Sequence, residues 1–113
     1  MELEDKKCIP CEGGVAALTA AEANRLLGQL AGWRIEGAAE LRKSFKFASF
    51  PHTIAFVNRM ASLAEAEGHH PDFCVRFTVL EVSLTTHAIG GLSANDFVLA
   101  AKIDALAGGK PEP

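Results

Sequence analysis

FCVRFTVLEVSLTT, Phe73 to Thr86, is an almost unbroken run of residues that favour strand. At about 14 residues it is too long for a typical single strand, so it is expected to fold back on itself as a hairpin. No Gly or Asn-Gly marks where it reverses. A turn at Thr78-Val79 would set His70 opposite His87 and gather His69, His70 and His87 at the open end. The placement is sensitive. Moving the turn centre by one residue moves the partner by two, about 7 Å along the strand.

Upstream, Ser49 can cap a helix and Pro51 suits its first turn, where a missing N–H costs nothing. Ile54, Val57, Ala61 and Ala64 fall on one face with Phe56, Met60 and Leu63 beside it, and Gly68 ends the helix. Earlier, Trp33–Ile35 and Leu41–Phe47 alternate around Gly37 as another hairpin, with Phe45 and Phe47 pointing the same way. Thr19 and Glu22 form a capping box ahead of Leu26, Leu27 and Leu30, which predicts a first helix over Ala20–Ala31 stopped by Gly32. Downstream, Ser93 and Asp96 are spaced as a capping-box variant, with Leu92 and Phe97 as a hydrophobic staple. A last helix starts there and Gly108-Gly109 closes it. The order helix, two strands, helix, two strands, helix predicts an α+β domain, an antiparallel sheet with helices packed on one face.

The 113 residues suit one domain, and 49% hydrophobic residues with seven Phe and one Trp can fill a modest core. Residues 1–17 read as an N-terminal arm, 18–108 as the domain and 109–113 as a flexible tail. A net charge of −3 with scattered Lys and Arg leaves no footprint for nucleic acid or a membrane surface. There is no apolar N-terminal run and no long apolar segment, so a soluble, cytoplasmic protein is the expectation. Three cysteines fit a reducing compartment better than a disulfide framework. Cys8 and Cys11 form a C-x-x-C, but structural zinc needs four ligands, and Cys74, the other cysteine, sits in the strand run. A solvent-exposed reduced pair is the simpler reading, with zinc bridging two such pairs between chains as the alternative. So short a chain buries a limited share of its surface, so association is expected.

The three histidines could serve general acid/base chemistry, since an imidazole gives and takes protons near neutrality. They could bind zinc, although adjacent His69 and His70 in an extended segment rarely turn to one ion. They could also be structural. A histidine after a helix-ending glycine is commonly a polar loop residue, which is the plain reading of His69. Pro71 holds residue 70 extended, Asp96 caps a helix, and Glu65 and His52 look like surface residues.

The pattern Glu65-x3-His69-His70-Pro71-x5-Phe77-x9-His87-x8-Asp96 resembles the signature of the pterin-4a-carbinolamine dehydratases. THAIGGLSANDFVLA from Thr86 to Ala100, GWRI at 32–35 and FKFASF at 45–50 extend the likeness over roughly residues 18–107. The resemblance implies a four-stranded antiparallel sheet with three helices, the hairpin turn at 78–79, and assembly into homodimers or homotetramers. It implies dehydration of 4a-hydroxytetrahydropterin to quinonoid dihydropterin with no metal and no organic cofactor. His69, His70 and His87 would be the catalytic group and Asp96 would support one of them. Glu65, Pro71, Phe73, Thr86, Ala88 and Ile89 would shape the pterin pocket.

The chain departs from its relatives in two places. Asp72-Phe73 stands where many carry Glu-Trp, and Ala88-Ile89 follow His87 where animal members have Glu-Cys, which makes that rim more apolar. Two other functions compete. One is a non-enzymatic assembly or dimerisation factor on the same fold, of the kind that serves rubisco, although such relatives tend to lose histidines that this chain keeps. The other is a small metal-binding protein using the histidines or the paired cysteines.

Overall fold

A computed structural model describes residues 3–6, 8, 16–37 and 39–107 of the chain. Cys11, the Gly108-Gly109 stop and the tail lie outside these residues. Helix α1, Ala20–Leu27, opens on the expected capping box, with Thr19 Oγ1 accepting from the Glu22 N–H and the Glu22 carboxylate accepting from the Thr19 N–H. It ends short of Ala31. The N–H groups of Gln29 and Leu30 reach back only three residues, to the carbonyls of Leu26 and Leu27, so the last turn tightens and the helix stops.

Strands β1 (Arg34–Glu36) and β2 (Glu40–Lys46) form the first hairpin, pairing Ile35 with Leu41. Helix α2, Phe50–Glu67, is capped by Ser49 and closed by Gly68, whose φ of 67° is the left-handed geometry that favours glycine. Its buried stripe is Thr53, Phe56, Met60 and Ala64. That corrects the expected face, since Ile54 and Val57 are half-buried and Ala61 is exposed. The β2 aromatics decide it: Phe56 packs its ring 5.5 Å from that of Phe45 and 5.2 Å from that of Phe47.

Strands β3 (Asp72–Arg76) and β4 (Val79–Leu84) are the two halves of the long β run. Arg76 pairs with Val79, so Phe77 and Thr78 make the turn, one residue earlier than expected. Continuing that register brings His70 level with Thr85 and not with His87. The cause is the neighbouring strand. Lys46 pairs with Val79 and the Phe47 N–H donates to the Thr78 carbonyl at 2.9 Å, so Val79 is already committed to the sheet.

The sheet runs β1-β2-β4-β3, all antiparallel, and the three helices complete the α+β fold. Leu41, Phe45, Leu80, Val82 and Leu84 point inward to meet Phe56 and Met60. Each such side chain, fully buried, contributes about 1.5–3 kcal/mol. Helix α3, Ala94–Leu106, is buried on most sides, with Phe97, Leu99 and Ile103 wholly enclosed. The N-terminal arm supplies part of that cover: a 3-10 turn at Leu3–Asp5 packs on α3 and buries Leu3. No helix among the described residues is long and apolar enough to cross a membrane.

Candidate active site

The loop after Gly68 starts beside α3. His69 Nε2 lies 2.7 Å from Asp96 Oδ1, and the Asp96 side chain is fully buried. Asp96 is the N3 residue of α3, so its position is set by the helix start: Oδ2 accepts from the Ser93 N–H at 2.9 Å and from the Thr86 hydroxyl at 2.8 Å. With its hydrogen given to Asp96, Thr86 Oγ1 accepts from the Ser93 hydroxyl at 2.8 Å, and Ser93 Oγ accepts from the Asn95 N–H. The proton directions are thereby fixed around the ring of donors. Asp96 Oδ1 faces His69 as an acceptor, so Nε2 carries the hydrogen and Nδ1 is the basic nitrogen of neutral His69. Thr86 and Ser93 act through Asp96 upon the imidazole, and cap and site are one device.

The other two histidines stand in solvent. His70 Nε2 lies 2.5 Å from Glu65 Oε2, and His87 Nε2 lies 3.9 Å from Asp72 Oδ2. Side-chain exposure climbs from 13% at His69 through 60% at His70 to 81% at His87, so one imidazole is enclosed and two are open to solvent. Each has a carboxylate within reach. His87 opens a 3-10 turn, His87–Ile89, that bulges from the β4–α3 connection. The bulge closes through Gly90, at φ 65°, and the Thr86–Gly91 bridge.

A cavity of about 470 Å³ is walled by all three histidines together with Thr86 and Ala88. The 3-10 bulge, and not the hairpin register, carries His87 to the wall that His69 and His70 occupy. Of the other expected residues, Glu65 meets the site through His70, while Pro71, Phe73 and Ile89 lie off this wall. Phe73 is 47% exposed on the edge strand. His52 stays remote, its Nδ1 bonded to Ser49 Oγ.

Sequence reasoning missed five wall residues: Cys8, Glu67, Gly68, Thr85 and Asn95. Cys8 is half-buried, which corrects the expectation of an exposed thiol there. Its Sγ–H donates to the Asn95 carbonyl, and its N–H donates to Glu67 Oε1 at 2.9 Å. Burial first, and then the Glu67 charge, push the Cys8 thiol up to about 11. No periodicity could place an arm residue against the end of α2, but an acid at Glu67 among apolar positions was a readable hint. Among the described residues, no three His, Cys, Asp or Glu side chains are grouped to hold a metal ion.

Residues 16–106 match the family model described as pterin 4 alpha carbinolamine dehydratase. A Rubrobacter xylanophilus protein is 47% identical over 105 residues, 93% of this chain and 98% of its own length. A Nitrosospira multiformis protein is 48% identical over 105 residues, 93% and 92% of the two chains. Both carry that dehydratase name provisionally. A crystal structure described as a transcriptional coactivator/pterin dehydratase from Brucella melitensis aligns with TM-score 0.77 and 34% identity, over 80% of this chain and 98% of that one. A pterin dehydratase-like protein identified as a RuBisCO assembly factor in the alpha-carboxysome aligns with TM-score 0.60 and 33% identity, over 68% and 90%.

Proposed function

This chain belongs to the pterin 4-alpha-carbinolamine dehydratase family, and from that membership we propose that it converts 4a-hydroxytetrahydropterin to quinonoid dihydropterin and water. The reaction breaks the C4a–O bond, gives a proton to the departing hydroxyl, takes a proton from N5, and leaves a C4a=N5 double bond. It needs proton transfers alone and calls on no metal or organic cofactor. The observation that carries the reading is the three-histidine wall with one imidazole fixed by a buried carboxylate.

His69 is the group best held for the base role. Asp96 keeps hydrogen on Nε2, leaves Nδ1 as the basic nitrogen, and stabilises the imidazolium that forms when N5 gives up its proton. His70 and His87, each with a carboxylate at Nε2, serve the departing hydroxyl. Acid and base typically contribute about 10²- to 10⁴-fold each. Glu65 steadies His70, Thr86 and Ala88 contribute wall, and Pro71, Phe73 and Ile89 shape the approach. The 18–108 domain carries this chemistry, as a cytoplasmic homodimer or homotetramer.

A stopped-flow assay of 4a-hydroxytetrahydropterin dehydration, in buffer of low general-base strength, tests this. We expect acceleration by the protein and a fall of about 10² or more in the His70→Ala, His87→Ala double variant without unfolding. A second reading, a non-enzymatic assembly factor on the same fold, draws support from the likeness to the RuBisCO assembly protein. A well-folded wild type that gives no acceleration would move the assignment there.

A further inference from the structure

The side of the cavity lined by Cys8 and Glu67 is held by an interaction that the chemistry above leaves unused. Glu67 is the last residue of α2, two positions before His69, and its side chain is only 6% exposed. A carboxylate so enclosed needs partners. Its Oε1 accepts from the Cys8 N–H at 2.9 Å and its Oε2 lies 3.7 Å from Lys102 Nζ on α3. One side chain thus joins the arm, the helix that leads into His69-His70, and the helix that carries Asp96. Cys8 reaches α3 as well, through the Asn95 carbonyl. The arm is anchored upstream by Leu3, buried in the core beside α3. Cys8 is therefore a fixed part of the pocket, and its neutral thiol offers a small, weakly polar surface to a ligand.

We propose that Cys8 is a substrate-binding wall residue of the pterin pocket and that Glu67 is the positioning residue that latches the arm to put it there. The pterin part rests on the dehydratase reading; the latch does not. Glu67→Ala frees the Cys8 N–H and opens that side of the pocket, so substrate is held less well while the histidines keep their own carboxylates. Glu67→Gln keeps an oxygen acceptor for the same N–H.

The test combines site-resolved alkylation with kinetics. Iodoacetamide labelling, read peptide by peptide by mass spectrometry, is expected to modify Cys8 about tenfold faster in Glu67→Ala than in wild type. Labelling of exposed Cys74 serves as the reference. In wild type, saturating 7,8-dihydropterin slows Cys8 labelling and spares Cys74. For dehydration, Glu67→Ala raises KM about tenfold with a smaller fall in kcat, and Glu67→Gln restores most of the KM. Should the alanine chain fail to fold, Cys8→Pro removes the same N–H from the arm side and reproduces the KM rise. Equal Cys8 labelling in wild type and Glu67→Ala overturns the latch, and bound dihydropterin that leaves Cys8 labelling unchanged overturns the wall assignment. A wild type without dehydratase activity sinks the functional reading instead, and faster Cys8 labelling in Glu67→Ala still upholds the latch.

Discussion

His69 Nε2 and Asp96 Oδ1 meet at 2.7 Å across 27 positions of chain, with the carboxylate wholly buried. The same carboxylate closes the capping box of α3. The first turn of a helix presents free N–H groups and a positive dipole end, so it is a favourable place to keep a buried negative charge. A carboxylate stabilised there, and held by the Thr86 hydroxyl, can then orient an imidazole.

Asp96→Asn separates the two duties. The amide is nearly the same shape but offers both a donor and an acceptor to His69, so the imidazole loses its single proton arrangement. The dehydratase kcat should fall by about 10² or more. Losing a charged acceptor at the cap should lower stability by about 1–2 kcal/mol. Steady-state kinetics and urea unfolding on the same preparation measure both. Retained kcat with lowered stability would leave Asp96 as a cap and nothing more.

How much of this was legible follows from which signals have a period. The caps at Thr19, Ser49 and Ser93 and the stop at Gly68 were readable because side-chain oxygens and left-handed backbone need particular residues at particular spacings. The hairpin register was not. A turn displaced by one residue shifts pairing by two, which keeps every side chain on its own face, so alternation in 73–86 fits either placement. Likewise two apolar stripes of α2 competed, and packing on Phe45 and Phe47 chose between them. The three histidines do share one wall, though not through the hairpin register: the 3-10 bulge after β4, invisible to alternation, brings His87 to the pocket. Cys8 and Glu67 meet across 59 positions, and nothing local announces such a contact.

The turn itself can be tested through Phe77, which holds a left-handed φ of 55° and is 73% exposed. That conformation costs a residue with a Cβ about 1–2 kcal/mol, and a glycine returns about 0.5–1 kcal/mol of this as extra freedom in the unfolded chain. Phe77→Gly should therefore stabilise the protein by roughly 0.5 kcal/mol, the small loss of buried surface aside. The urea midpoint should rise with an unchanged slope. A lower midpoint would mean that the Phe77 ring has a packing partner worth more than the backbone strain.

Acid stability offers a test of the first helix. The Thr19 N–H, and next the Thr19 hydroxyl, hold the Glu22 carboxyl below its ordinary value of 4.5. The native chain therefore releases this proton more readily than the unfolded chain does. The contribution of the ionised capping box is present above about pH 4.5 and is lost as pH falls through the lowered native value. Glu22→Gln keeps an acceptor for the Thr19 N–H but has no proton to lose. Its stability deficit relative to wild type should be largest near neutrality and shrink as the pH is taken from about 6 to about 3. Thr19→Ala, which removes the hydroxyl, should cost about 1 kcal/mol at neutral pH. Urea unfolding of the three chains across that range reads the effect. A deficit in Glu22→Gln that stays constant with pH would mean that the charge of Glu22 contributes nothing to the capping effect.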